Sequence, residues 1–347
     1  YGEITYRHFR AENQDGDSAR AREIDNDPAA EVLRNILYVG YKFDDKWLIN
    51  MELEIEHVSQ VYTEFMYLDY LHSKEINFRA GLMLHPIGYV NELHEPTVYT
   101  GVLRPTLETL IIPTTWRSLG VGLFGALNEK TNYKLYAMNG MNAEGFKVGS
   151  NRGARNRGGH YEPENDNNEK ENNQRASTGA LVFRVDHAVN DELTIGTSGL
   201  IGQASGADED LDQRMLTLQA EYISGAHFLR FLAVENRFAN ADDFNEVNVD
   251  PNQVNEAQNG AYLEYRHTID GKGTSKYVPF ARYEVLNLQA DRASGIANND
   301  ALERQQLTVG LNYFPLDRIV FKADYTFNRN KADTGVDEFA MGLGYNF

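Results

Sequence analysis

Residues 338–347, EFAMGLGYNF, decide the fold. Phe339, Met341, Leu343, Tyr345 and Phe347 share one parity; Glu338, Ala340, Gly342, Gly344 and Asn346 share the other. Successive side chains of a strand leave opposite faces, so this period of two makes one apolar face and one small or polar face. The stretch is about as long as a tilted strand that crosses a bilayer, roughly ten residues. Just upstream, Ile319, Phe321, Ala323, Tyr325 and Phe327 alternate with Val320, Lys322, Asp324, Thr326 and Asn328. Far upstream, Trp47, Ile49, Met51, Leu53 and Ile55 alternate with Asn50, Glu52, Glu54 and Glu56.

Working outward, about sixteen such segments appear, centred near residues 5, 38, 52, 66, 82, 124, 137, 183, 198, 218, 233, 264, 282, 309, 324 and 343. The segment around Phe65 to Tyr70 has both faces partly apolar, which would suit a wall against another protein chain. Short turn-like links such as Asp44-Asp45, Ser73-Lys74 and Leu316-Asp317 alternate with long ones at 10–31, 89–118, 143–177, 240–258 and 289–302. Ser59-Gln60 breaks the rhythm, being short where a long link is due. An even number of strands with this rhythm gathers the long loops at one end and both termini at the other. The expected fold is all-β: one transmembrane antiparallel barrel spanning 1–347.

Composition agrees with this and excludes other classes. No run approaches the length of a membrane helix, about eighteen apolar residues. Cysteine is absent, so disulfides and thiolate chemistry are excluded. A net charge of -18 argues against nucleic acid as a partner. The 20 Tyr, 17 Phe and 29 Gly belong to strands and tight turns rather than to a solvated coil. The chain opens on Tyr1, as expected of a mature chain whose export signal has been removed.

A soluble sandwich also alternates, but two features favour lipid outside a closed ring. Aromatics such as Phe43, Trp47, Tyr313 and Tyr345 cap the apolar parity, as at membrane interfaces. Full charges recur in mid-strand on the opposite parity, which suits a wet lumen, and a sheet in hydrocarbon must close to pair its backbone. Sixteen strands leave an aqueous channel. Its expected wall carries Glu52, Glu54, Glu56, Arg79, Arg184, Arg266, Arg282 and Glu284, with acids and bases nearly balanced. Excess acid sits in the long loops: about -4 at 10–31, about -4 at 205–212 and about -5 at 240–258. An acidic mouth concentrates cations, so a weak cation preference is expected. The same acids could instead bridge divalent ions to lipopolysaccharide or stay solvated. Asp208, Asp210 and Asp212 form a candidate Ca²⁺ cluster, although they lack the spacing and glycine of an EF-hand loop. The Arg- then Glu/Asn-rich stretch at 143–177 reads as a mobile outer loop.

Residues 86–118, PIGYVNELHEPTVYTGVLRPTLETLIIPTTWRS, are too apolar to sit in water. Leu107, Leu110, Ile111, Ile112 and Trp116 call for burial, while Pro86, Pro96, Pro105 and Pro113 prevent a regular strand or long helix. Folding into the lumen solves both problems and narrows the pore. Glu92, His94, Glu95, Arg104 and Glu108 are then the candidate constriction residues, meeting either solute or the wall that anchors the loop.

Here the chain resembles the phosphate-selective porin O/P family of Gram-negative porins. The resemblance rests on Pro86-Ile87-Gly88, Asn91-Glu92, His94-Glu95-Pro96, Arg104-Pro105, Ile111 to Trp116 and Gly120-Val121-Gly122. It is dense over about forty residues; elsewhere strand count, loop rhythm and the final Phe carry it. The family implies a homotrimer of sixteen-stranded barrels in the outer membrane, with the third long loop folded inward. It also implies contact with lipid and lipopolysaccharide, extracellular long loops and periplasmic termini. Phosphate-selective members line the channel with an arginine ladder and a lysine-rich approach, whereas this wall alternates Arg with Glu. The expectation is therefore a divergent member: a diffusion channel for small hydrophilic or ionic solutes, without phosphate selectivity. An anion, phosphate or organic-acid channel of the same fold is the alternative. An outer-membrane enzyme or a plugged surface-binding barrel stands behind both. No catalytic residues are assigned, because the nine His are scattered and no H-x-x-x-H or GxSxG motif occurs. No cofactor is expected beyond the Ca²⁺ candidate.

Overall fold

The computed structural model describes residues 1–11, 28–155, 178–206, 209–248 and 253–347. Its strands are β1 (Gly2–Ala11), β2 (Ala29–Lys42), β3 (Trp47–Glu56), β4 (Gln60–Leu71), β5 (Asn77–Leu84), β6 (Arg117–Asn128), β7 (Thr131–Asn139) and β8 (Gly179–Ala188). They continue with β9 (Leu193–Ala204), β10 (Leu211–Ser224), β11 (His227–Phe238), β12 (Ala257–His267), β13 (Ile269–Asp270), β14 (Lys276–Asp291), β15 (Glu303–Leu316), β16 (Ile319–Asn330) and β17 (Val336–Tyr345). The two-residue β13 belongs to the turn between β12 and β14, which pair directly. The other sixteen strands pair antiparallel with their sequence neighbours, and β1 pairs with β17 to shut the ring. Every segment centre read from the sequence lies inside one of these strands.

The alternation follows from the ring. Leu37, Val121, Leu181, Ile201 and Phe321 on the outer parity are exposed, while Glu54, Glu264, Lys322 and Asp324 on the inner parity are buried. An apolar band of that extent has no place in water and is the surface a bilayer covers. Backbone pairing all round removes every sheet edge, as hydrocarbon requires.

Two of the register shifts in the ring bear on the site. The partner of Ile4 is Val32 and that of Glu3 is Arg34, so Leu33 is an extra residue in β2. The partner of Leu53 is Thr63 and that of Glu52 is Phe65, so Glu64 is an extra residue in β4. Beyond the second bulge the faces around Phe65 to Tyr70 separate: Phe65 and Tyr67 line a cavity inside the ring, while Met66 and Leu68 are exposed on the outside. Parity flips at Glu64, and the consecutive side chains Glu64 and Phe65 are both buried. No partner chain is needed to account for the pattern.

The long connections, including those after β1, β5, β7, β11 and β14, open at one end of the ring, and both chain ends lie at the other. Residues 12–27 of the first loop, 156–177 of the second acidic-basic loop, and 249–252 of the loop after β11 lie outside the described residues. The connection from β5 to β6 turns inward and fills much of the ring.

Candidate pore constriction

The inward loop has its own core. Four prolines limit it to turns and one four-residue helix, Leu107–Leu110. Ile87, Leu107, Ile111, Ile112 and Trp116 are completely buried, and they cluster with the lumen-facing Met83, Met138, Val182, Leu200 and Leu232. The Trp116 indole stacks on His85 at 3.9 Å. Asn91 stitches the loop's two ends together. Its amide nitrogen donates to the carbonyls of His85 (2.8 Å) and Trp116 (2.9 Å), and its oxygen accepts from the Trp116 amide (2.8 Å).

Charged wall residues then fasten the loop to one sector of the ring. Glu3 accepts from the Tyr99 hydroxyl at 2.8 Å, and Arg34 donates to the His94 carbonyl at 2.9 Å. On β16, Lys322 donates to the carbonyls of Tyr99 and Gly101 at 2.8 and 2.7 Å, while Asp324 accepts from the Val102 amide at 2.5 Å. Glu284 accepts from the amides of Thr106 and Leu107 at 3.2 and 3.0 Å, and Glu264 from the Thr100 hydroxyl at 2.7 Å. Arg282 is held between Glu284 (2.8 Å) and Glu264 (3.3 Å). Charges buried this deeply persist only when paired and hydrogen-bonded, as these are.

The other sector, from β5 through β11, stays more open. Its lumen cations keep a little exposure, with Lys134 the most open and Arg230 nearly buried, and each has its own acid: Arg79 with Asp69 (2.7 Å), Lys134 with Glu92 (2.6 Å), Arg184 with Asp186 (2.6 Å) and Arg230 with Glu221 (2.7 Å). Aromatic faces hold the guanidiniums flat: Arg79 over Tyr67 at 3.8 Å, Arg230 over Tyr89 at 4.4 Å, Arg266 over Phe228 at 3.6 Å. Two cavities are bordered by charged side chains, one mainly on β1–β5 and the loop, the other mainly on β5–β8. One, of about 430 Å³, is lined by Tyr38, Glu52, Arg79, Glu92 and Glu95 among others. The second, of about 360 Å³, is lined by Asn77, Phe124, Lys134, Arg184 and Asp186 among others.

The five loop residues singled out from the sequence part company here. Glu92 and Glu95 border the cavity of about 430 Å³, and Glu92 also holds Lys134, which borders the other. Glu108 is buried inside the loop, accepting from the amides of Tyr89 (2.7 Å) and Val90 (2.9 Å) and from the Tyr262 hydroxyl (2.7 Å). Burial pushes its carboxyl above the ordinary value, and those hydrogen bonds pull it back. His94 is buried against β4, and Arg104 donates to Thr115 at 3.1 Å. Of the wall residues, Arg282 and Glu284 fasten the loop, Arg79 and Arg184 face the open side, and Arg266 donates to Thr100 at 3.2 Å. Glu52 and Glu54 are buried on β3, with Glu56 half-buried at its end. Of the calcium candidates, Asp208 lies outside the described residues. Asp210 accepts from the Gly206 amide at 3.1 Å, and Asp212 accepts from Gln203 at 2.8 Å.

The sequence reading missed Glu64, Asp69 and Arg230. The last two had a signal. Counting back from the tight turn at Gly225–Ala226 pairs Glu221 with Arg230, and register pairs Asp69 with Arg79. Opposite charges directly across neighbouring strands stabilise one another. The row continues from Arg230 to Glu264 to Arg282, so sign alternates across four adjacent strands.

No family model matches the chain. Among solved structures, the outer-membrane channel DcaP of Acinetobacter baumannii superposes with a TM-score of 0.61 at 11% identity, covering 100% of this chain and 96% of that one. Salmonella typhi OmpF gives 0.62 at 11% identity over 100% and 96%. The anion-selective porin from Comamonas acidovorans gives 0.56 at 12% identity over 99% and 96%. At such identities the likeness is one of fold: a closed sixteen-stranded porin barrel. In sequence, an uncharacterized protein of Aquifex aeolicus (strain VF5) is 31% identical over 357 residues, covering 93% of this chain and 76% of the relative. The chain belongs to the family of that Aquifex protein.

Proposed function

We propose that the chain is an outer-membrane porin, a passive diffusion channel for small hydrophilic or ionic solutes rather than an enzyme. The observation that carries this reading is the division of the lumen. The inward loop is fastened to one wall, leaving one cavity bordered by Glu92 and Glu95 and another bordered by Lys134, Arg184 and Asp186. A charged, hydrated lining inside an apolar band is what a solute path through lipid needs. The long loops would then be extracellular and the termini periplasmic, with lipid and lipopolysaccharide around the ring. Purified protein added to a planar bilayer gives stepwise conductance on this reading; a silent membrane at saturating insertion overturns it.

The acidic outer loops support a weak cation preference, because a single-sign mouth raises the local cation concentration within a Debye length. A reversal potential of anion sign under a salt gradient overturns that part. The row Arg79, Arg184, Arg230 and Arg266 favours a second reading, an anion or organic-acid channel of the phosphate-selective O/P type. The acids paired with the first three neutralise most of the row's field, so the general channel is the better reading. Liposome swelling with sugars, dicarboxylates and phosphate separates the two. A homotrimer remains part of the proposal, and crosslinking that yields only monomer counts against it. Calcium at Asp208, Asp210 and Asp212 is likewise part of the proposal, tested by calcium-dependent protection of that loop from protease.

A further inference from the structure

We propose that Glu52, Glu64 and His94 form a site for one divalent cation of the zinc class, seated between the barrel wall and the inward loop. One ligand atom from each lies within 4.8 Å of the other two, and His94 Nε2 is 2.8 Å from a Glu64 oxygen. Zinc bonds of about 2.0–2.1 Å set tetrahedral ligands about 3.3 Å apart, so shifts of an ångström or so complete the geometry.

Four features of the residues themselves point to a cation. First, one oxygen of Glu64 and one of Glu52 are buried with no hydrogen-bond partner, and the other Glu64 oxygen meets His94 Nε2 at 2.8 Å. Glu64 is 0% exposed and His94 2%, so water does not satisfy them. A carboxylate left this way costs several kcal/mol, roughly, unless a positive charge meets it.

Second, His94 Nδ1 lies 3.0 Å from the Asn91 carbonyl. A carbonyl only accepts, so Nδ1 carries the proton and Nε2 is the nitrogen turned toward the carboxylates, where its lone pair would serve a bound metal. An imidazole oriented through its far nitrogen by a backbone carbonyl is the usual arrangement of a metal-bound histidine. Asn91 is itself fixed to His85 and Trp116, so the orientation is rigid. Third, the nearest guanidiniums are committed elsewhere. Arg34 holds Glu3 at 2.6 Å and the His94 carbonyl, and Arg104 donates to Thr115.

Fourth, the β4 bulge is what turns Glu64 inward beside Phe65. Bulges concentrate where a side chain has to be re-aimed at a site. One imidazole with two carboxylates suits Zn²⁺ or a neighbouring transition ion; Ca²⁺ asks for six to eight oxygens. Glu52 borders the cavity of about 430 Å³, from which water supplies the fourth ligand. The bound ion would pin the loop to β3 and β4.

Site formation does not depend on conduction; only the effect of the pin on the pore rests on the channel reading. The test is equilibrium dialysis of metal-stripped, detergent-solubilised protein against ZnCl₂, with metal counted by mass spectrometry and affinity read against a chromophoric chelator. Wild type takes up one Zn²⁺ per chain more than the E64Q/H94A double variant. E64Q and H94A each weaken binding at least tenfold, E56Q leaves it unchanged, and equimolar CaCl₂ or MgCl₂ does not displace the zinc. Circular dichroism confirms the barrel in each variant, and E52Q and H94Q provide the same comparison should E64Q not fold. Wild-type uptake no greater than that of the double variant, unchanged affinity in H94A, or displacement by calcium overturns the site and leaves a protonated His94–Glu64 ion pair. A zinc-binding barrel that never conducts sinks the channel reading instead.

Discussion

The two halves of the barrel wall use the same residue types to opposite ends. From β12 round to β4, Glu3, Arg34, Glu264, Arg282, Glu284, Lys322 and Asp324 are buried and spend their hydrogen bonds on the loop or on one another. From β5 to β11, Arg79, Lys134, Arg184 and Arg230 pair with nearby acids; the three arginines also lie over aromatic rings, and of the four Arg184 also donates to a loop carbonyl, that of Gly88. A charge on a pore wall therefore does not by itself mark a solute contact. Its role depends on whether a backbone amide or carbonyl of the loop already occupies it.

Breaking the fastened half should have the largest effect. Glu108→Ala strands the amides of Tyr89 and Val90 and the Tyr262 hydroxyl in a dry interior. Unmade buried hydrogen bonds cost about 1–3 kcal/mol each, so a loss of roughly 3–5 kcal/mol is expected. Thermal unfolding and protease sensitivity of residues 86–116 report the loosening, and single-channel traces should become larger and noisier. A variant with unchanged unfolding and unchanged current would show that the loop does not need this anchor.

The open half should respond in selectivity, not stability. Glu92→Gln frees Lys134 from its partner in a half-exposed pair. Such pairs contribute about 0–1 kcal/mol, so the unfolding midpoint should hardly move. The reversal potential should shift toward anions, by roughly a factor of two in the permeability ratio, from the change of one charge near the path. Destabilisation on the scale of Glu108→Ala would erase the distinction between the halves.

A smaller contrast lies outside the ring, where the loops after β11 and β14 touch. Asp242 accepts from the Ser294 amide (2.6 Å) and hydroxyl (2.8 Å), which holds its carboxyl below the ordinary 3.8. A lowered carboxyl contributes its stability above the unfolded value and loses it as pH falls through the folded one. Protection of the Ser294 amide, its exchange taken relative to the intrinsic rate at each pH, should thus be flat from pH 5 to 8 and fall only below about pH 4. A change near neutral pH would assign the contact to another group.

The ring itself was plain in the sequence because alternation and turn spacing are local. Glu338 to Phe347 needs no partner to show its two faces. What stayed hidden was non-local or broke the period. Glu64 is one residue inserted into an alternating run, and single-sequence parity cannot tell an insertion from a strand with two greasy faces. Glu284 and Lys322 were legible as wall residues, but their loop partners at 99–107 lie far away in the chain. Glu108 looked like a pore charge because nothing in its neighbourhood tells of Tyr262, supplied by β12.

The inward loop reaches β1, β2, β14 and β16 from its root between β5 and β6, so it crosses the hoop as a spoke does. A hollow hoop in a fluctuating bilayer ovalises under side pressure, whereas one braced across its width keeps its roundness. The spoke also ties early strands to late ones. Its fittings at Lys322 and Asp324 do not exist until the last hairpin arrives, so bracing and sealing of the hoop are completed together.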